Sequence, residues 1–179
     1  NTLGAILSIT SDMPGTPSVK ATSATHTVVV PESGLLMTTE GVAYEAIILG
    51  MQAEHDYTFE ADWTRAEGGP PSLHVTPWST PTLPADAPLL EVLVSEPEAM
   101  SPGLTLFAVT TINKSAPGPP LSDIFMLDPA GTIVGHVRPT FRVSYLRQTK
   151  SGTLLVQDSA SSGVEWDLGG NVLHEWSAT

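Results

Sequence analysis

Leu127-Asp-Pro-Ala-Gly131-Thr-Ile-Val134 and Trp166-Asp-Leu-Gly-Gly170-Asn-Val-Leu173 share one form: apolar, Asp, two residues, Gly, one residue, two apolar. The Asp and the Gly each recur after 39 residues, from 128 to 167 and from 131 to 170. Such a form suits a tight turn. The side chains of Asp128 and Asp167 cap it, Gly131 and Gly170 accept positive φ, and the apolar runs on either side pair as strands. Between the copies, residues 143–146 and 153–156 flank 148–152 and predict another hairpin. Four strands within 39 residues is the layout of one β-propeller blade.

Upstream, six short strands are expected at residues 18–21, 26–30, 35–38, 44–49, 57–64 and 73–78, a spacing that suits a β-sandwich. The clearest is the fifth, where Tyr57, Phe59, Ala61 and Trp63 alternate with Thr58, Glu60, Asp62 and Thr64. Period two places the apolar set on one face and the acids on the other. Just before it, Met51-Gln-Ala53-Glu-His-Asp-Tyr57 resembles the fibronectin type III pattern in which leucine, proline and tyrosine hold those three spacings at a corner. Here Met stands for Leu and Ala for Pro. The resemblance covers residues 14–83 and implies a buried tyrosine that hydrogen-bonds backbone upstream; it speaks to fold, not activity.

The expected fold class is therefore all-β: a fibronectin III/Ig-like sandwich followed by the first blade or blades of a propeller. The expected division is an entry segment at 1–13, the sandwich at 14–83, a proline-rich linker at 84–88 and a partial propeller at 89–179. Four prolines in the stretch from Pro77 to Pro88 lack amide donors and disfavour helix, which suits an extended connector. Up to residue 88 there are ten acids and two bases, net −8; the remainder has nine and five, net −4.

Composition narrows the functions. The chain has 179 residues, enough to bury a core, with 15 Gly and 16 Pro that favour turns over long helices. No cysteine is present, which removes disulfides, thiolate metal sites and cysteine nucleophiles. A net charge of −12 repels a phosphate backbone, so nucleic acid is not an expected partner. No stretch approaches the roughly 20 apolar residues of a membrane span. The chain begins at Asn1, and the stretch from Leu3 to Ile9 lacks the basic start and long apolar core of a signal peptide, so processing or truncation is expected.

The repeat and its surroundings, from Phe125 to Val137, from Ser151 to Val156 and from Val164 to Trp176, resemble blade segments of the propeller-type bacterial arylsulfotransferases. In that family a small β-sandwich precedes a propeller. The resemblance implies a secreted or periplasmic protein that moves a sulfuryl group from an aryl sulfate to a phenol through a sulfated histidine, without cofactor or metal. That chemistry needs a nucleophilic imidazole and cationic donors for the anionic transition state. Where family members carry a His-Asp pair before a hairpin, this chain has Phe141-Arg-Val-Ser-Tyr-Leu146, so no catalytic residue of the family maps onto it. The expectation is a propeller cut short, inactive by itself, whose exposed sheet faces pack on the sandwich or support oligomers. The alternative is a non-enzymatic extracellular module that binds protein or glycan.

Among individual residues, His26, His55, His74, His136 and His174 show no metal-binding spacing. His136 and His174 lie on candidate blade strands and are expected to face opposite ways. Arg138, Arg142, Arg147 and Lys150 gather four of seven bases within 13 residues and form a candidate anion-binding rim, with isolated solvated cations as the alternative. Asp128 and Asp167 read as turn caps rather than calcium ligands. Trp63, Trp78, Trp166 and Trp176 read as core anchors, or as an exposed pair that stacks on a ring. Asn113-Lys-Ser115 satisfies a glycosylation sequon in a loop before Pro117. There is no phosphate-cradling glycine loop, nucleophile elbow or dinucleotide fingerprint.

Overall fold

The computed structural model describes residues 3–68, 72–99, 103–111, 121–158 and 162–177; the sequon at 113–115 and its neighbouring prolines lie outside them. The protein is all-β, and its described residues form four antiparallel sheets, none of them closed. The chain divides into two compact units, Leu3–Pro81 and a second from Thr82 onward.

The first unit has seven strands: β1 Ala5–Thr10, β2 Gly15–Thr22, β3 Thr27–Val29, β4 Leu35–Thr39, β5 Ala43–Ile48, β6 Asp56–Arg65 and β7 Ser72–Ser79. One sheet runs β1-β5-β4 and the other β3-β2-β6-β7. Their inner faces share one core: Ile9, Ala46 and Ile48 from the first sheet meet Val19, Ala21, Phe59, Ala61 and Trp63 from the second. The period-two pattern of β6 is realised in full, with Tyr57, Phe59, Ala61 and Trp63 all buried. The Tyr57 hydroxyl accepts the Gln52 backbone N–H at 2.9 Å, five residues upstream. A part-buried amide is thereby satisfied where the chain turns into β6.

Residues 1–13 are not a mere entry segment. Residues 5–10 form β1, paired along its length with β5, and they bring Ile9 into the core. Ala5, Leu7 and Ile9 face inward while Ile6, Ser8 and Thr10 are exposed, the alternation of a half-buried strand. Within the stretch expected as a proline-rich linker, Asp86 is ion-paired with Arg138 of the second unit.

The second unit holds β8 Thr105–Thr111, β9 Leu121–Leu127, β10 Ile133–Val137, β11 Tyr145–Gln148, β12 Leu154–Gln157, β13 Ser162–Trp166 and β14 Val172–Ser177. They make a three-stranded sheet β10-β9-β8 and a four-stranded meander β11-β12-β13-β14. The repeated segments are thus the last hairpin of each sheet, β9–β10 and β13–β14. The four strands within one 39-residue period do not share a sheet, because β10 and β11 are unpaired with each other. The two sheets bury a common core of Ile124, Met126 and Val134 against Leu154, Val156, Val164 and Trp166.

The turn chemistry is uniform. Asp128 Oδ1 accepts the Thr132 N–H at 2.8 Å and Asp167 Oδ1 accepts the Asn171 N–H at 2.8 Å. Gly131 and Gly170 sit at φ +84° and +90°, the left-handed region that glycine enters without a Cβ penalty. The β11–β12 turn closes in the same way, with Thr149 N–H on Thr153 O and Gly152 at φ +87°. Asp158 Oδ1 likewise accepts the Ser162 N–H at 3.1 Å. The Asp-x-x-Gly form is therefore partly a property of this turn type, and the stronger repeat signal lies elsewhere. In β9–β10, Leu127 pairs with Ile133 and Met126 with Gly135, so Val134 is an extra residue. In β13–β14, Trp166 pairs with Val172 and Glu165 with His174, so Leu173 is extra. Val134 and Leu173 are again 39 apart. Both copies carry a β-bulge at the same place.

Candidate functional site

The densest chemistry of the described residues lies on the face of the β8–β10 sheet turned away from the shared core. Ile124 and Met126 face that core, so Asp123 and Phe125 point the other way. His136 stands opposite Phe125 on β10, and Phe107 lies opposite Phe125 on β8. The three rings form a row, with centroids 5.9 Å and 5.2 Å apart. Beside them, Asp123 Oδ1 lies 2.7 Å from His136 Nε2 and accepts the Arg138 Nε–H at 2.8 Å. A second Arg138 nitrogen donates to Asp86 Oδ1, also at 2.8 Å.

Burial decides what this network does. Asp123 and His136 are 1% and 0% exposed, so no solvent-borne substrate reaches the imidazole. A buried carboxylate that accepts two charge-assisted bonds is a strong local constraint. Arg138 carries it outward to Asp86, whose side chain is mostly in solvent. The two carboxylates raise the Arg138 guanidinium above its ordinary value, and its hydrogen bond lowers the Asp86 carboxyl below its own. The arrangement clamps residue 86 to the β9–β10 hairpin; it does not present a nucleophile.

The other singled-out residues do not converge on this network. Of the four bases read as an anion rim, Arg138 is committed to Asp123 and Asp86. Arg142 is exposed between β10 and β11, Arg147 is exposed on β11, and Lys150 is exposed in the β11–β12 turn. His136 is buried in one sheet while His174 is exposed on β14 of the other, 5.9 Å from the Trp176 ring. Among the described residues no group of three or more His, Asp or Glu could hold a metal, and no helix is long and apolar enough to cross a membrane.

Only Trp63 and Trp166 are core anchors. Trp78 and Trp176 are 42% and 49% exposed. Asp123 escaped the sequence reading for a definite reason. Without the bulge at Val134, the β9–β10 register would set Asp123 opposite Val137; the extra residue advances it to Arg138 and lets it reach His136 as well. The alternation of His136 and Arg138 on one face of a strand was the signal available.

No protein-family model and no curated protein matches this chain.

Proposed function

We propose that this chain is the sandwich and first two sheets of a β-propeller protein of the arylsulfotransferase-like type, exported from the cytoplasm, with the sulfuryl-transfer residues outside residues 1–179. One observation carries the propeller part: the two sheets of the second unit stack head to tail. Ile124 and Met126 of β9 face the shared core, yet their counterparts 39 residues on, Gly163 and Glu165, face away from it. Phe125 faces away, yet its counterpart Val164 faces the core. Equivalent sheets therefore meet through different faces. A heterologous contact repeated by the same operation builds a ring or an open stack, and four-stranded meanders stacked in this way are propeller blades.

In this reading the outer face of the last sheet, with Gly163, Glu165, His174 and Trp176, receives the next blade. All six residues of β14 are exposed, which supports an unfinished flank. The sandwich fits the fibronectin III/Ig layout when β1 to β7 are taken as strands B, C, C′, D, E, F and G, with Tyr57 as the corner tyrosine of F. An aryl sulfate and a phenol are the implied substrates of the whole protein; exposed Arg142, Arg147 and Lys150 are candidate anion contacts at its rim. The chain alone is expected to be inactive.

The test is the parent reading frame and its product. At least three further Asp-x-x-Gly hairpins with a bulge three residues after the Gly are expected downstream, and the full-length protein should move sulfate from an aryl ester to a phenol. Fewer hairpins overturn the propeller; a complete propeller without transfer overturns only the activity.

A further inference from the structure

We infer that residues 88–95 are a processing site, where an endopeptidase with an apolar specificity pocket severs the covalent link between the sandwich and the strands of the second unit. A peptidase needs what a folded domain withholds: extended chain whose backbone groups are free to pair with the enzyme as an added strand. Strands in a ladder yield it only by opening. Here it is on offer in the native state. Among the described residues, no backbone N–H or C=O group from Pro88 to Ser95 makes a hydrogen bond, and no strand of either unit includes them.

Side chains alone hold this strap in place. Asp86 is ion-paired with Arg138 at 2.8 Å, a Cβ on Gly131 would lie 2.5 Å from Val92 Cγ2, and the Ser95 hydroxyl donates to Pro129 O at 2.9 Å. From Asp86 to Ser95 the strap advances nine residues, while its partners retreat nine, from 138 to 129. One residue for one is the pace of two extended chains running antiparallel. Yet no ladder joins the strap to β10, so its backbone is drawn out and left unspent.

The side chains select the class of enzyme. Leu89 is fully exposed, and Leu93 and Val94 mostly so. Single apolar residues on a surface are ordinary, but three within six residues of unbonded chain make a recognition element. A chymotrypsin-type hydrophobic pocket takes a leucyl side chain, which makes Leu89–Leu90 and Leu93–Val94 the scissile bonds. Water adds across either one: the leucine keeps the new carboxylate, and Leu90 or Val94 carries the new amino group. This exposure does not depend on where the sequence starts or stops. The strap is internal to the chain, and its anchors flank β10, an edge strand, whereas the sheets of this unit stack through their faces.

The test is brief digestion of the 179-residue chain with chymotrypsin, read by mass spectrometry. The first cut is expected after Leu89 or Leu93, at a rate within about tenfold of that for a free peptide of residues 86–96, because the strap need not unfold. The pocket's taste for aromatic rings works against this result. Trp78, Tyr145 and Trp176 are exposed too, but each lies in a strand ladder. The double variant Leu89→Thr, Leu93→Thr should slow cleavage of the strap by about tenfold or more and leave the melting temperature unchanged, since both side chains stand in solvent. A first cut at any bond outside the strap, a rate more than about tenfold below that of the peptide, or undiminished cleavage of the double variant overturns the site. The full-length product should be cut at the same bonds, and its resistance would overturn the processing role.

Discussion

Replacing Asp123 by Ala is the sharpest probe of the second unit. The substitution removes the acceptor of both the Arg138 Nε–H and the His136 ring nitrogen, at 2.8 Å and 2.7 Å, in a site that is 1% exposed. Breaking a buried charged pair by deleting one partner costs about 3–5 kcal/mol, because the other is left without compensation. Arg138 is one-quarter exposed and can turn to water, which places the loss near the low end, about 3 kcal/mol. For a unit of roughly 100 residues each kcal/mol moves the melting temperature by about 4–8 °C, so a drop of about 12 °C or more is expected. Calorimetry should show this in the transition of the second unit alone, with the sandwich transition fixed. Asp123→Asn, which keeps an oxygen acceptor, should lose less. A shift worth under about 1 kcal/mol, or an equal shift in both transitions, would refute the view of Asp123 as a local clamp.

Three further outcomes follow from the geometry. Tyr57→Phe deletes the acceptor of the part-buried Gln52 amide and should cost the sandwich about 0.5–1.5 kcal/mol in urea denaturation without altering its spectrum. Gly131→Ala and Gly152→Ala both force a left-handed alanine at about 1–2 kcal/mol, but a Cβ at 131 would also meet Val92 at 2.5 Å while that at 152 meets nothing within 4 Å; the first should be the more damaging by about 1 kcal/mol or more. Asp86 has its folded carboxyl below the usual 3.8, so its contribution is present above that value and lost as pH falls through the lowered one. Asp86→Asn should flatten that part of the acid-stability profile of the second unit, and an unchanged profile would count against the Arg138 contact.

Much of the fold was legible because strand patterning is local. The alternation from Tyr57 to Trp63, the Asp and Gly of each hairpin, and the spacing from Met51 to Tyr57 depend only on neighbours a few residues away. Residues 5–10 carry the same alternation, Leu7 and Ile9 between Ser8 and Thr10, although the expected division sets them in an entry segment.

What the sequence by itself determined, then, was the all-β class, the turns, and which side chains share a face within one strand. Which strands meet was decided only by the tertiary structure. A single extra residue at Val134 moves every cross-strand partner beyond it by one place, and that shift brings Asp123 to Arg138 and His136. Likewise, among the described residues the opposing sheet has one strand fewer, and Trp78 is left exposed on the face that Tyr57, Phe59 and Ala61 bury. Both are facts of register and count between distant segments, where the energy comes from contacts that no local pattern encodes.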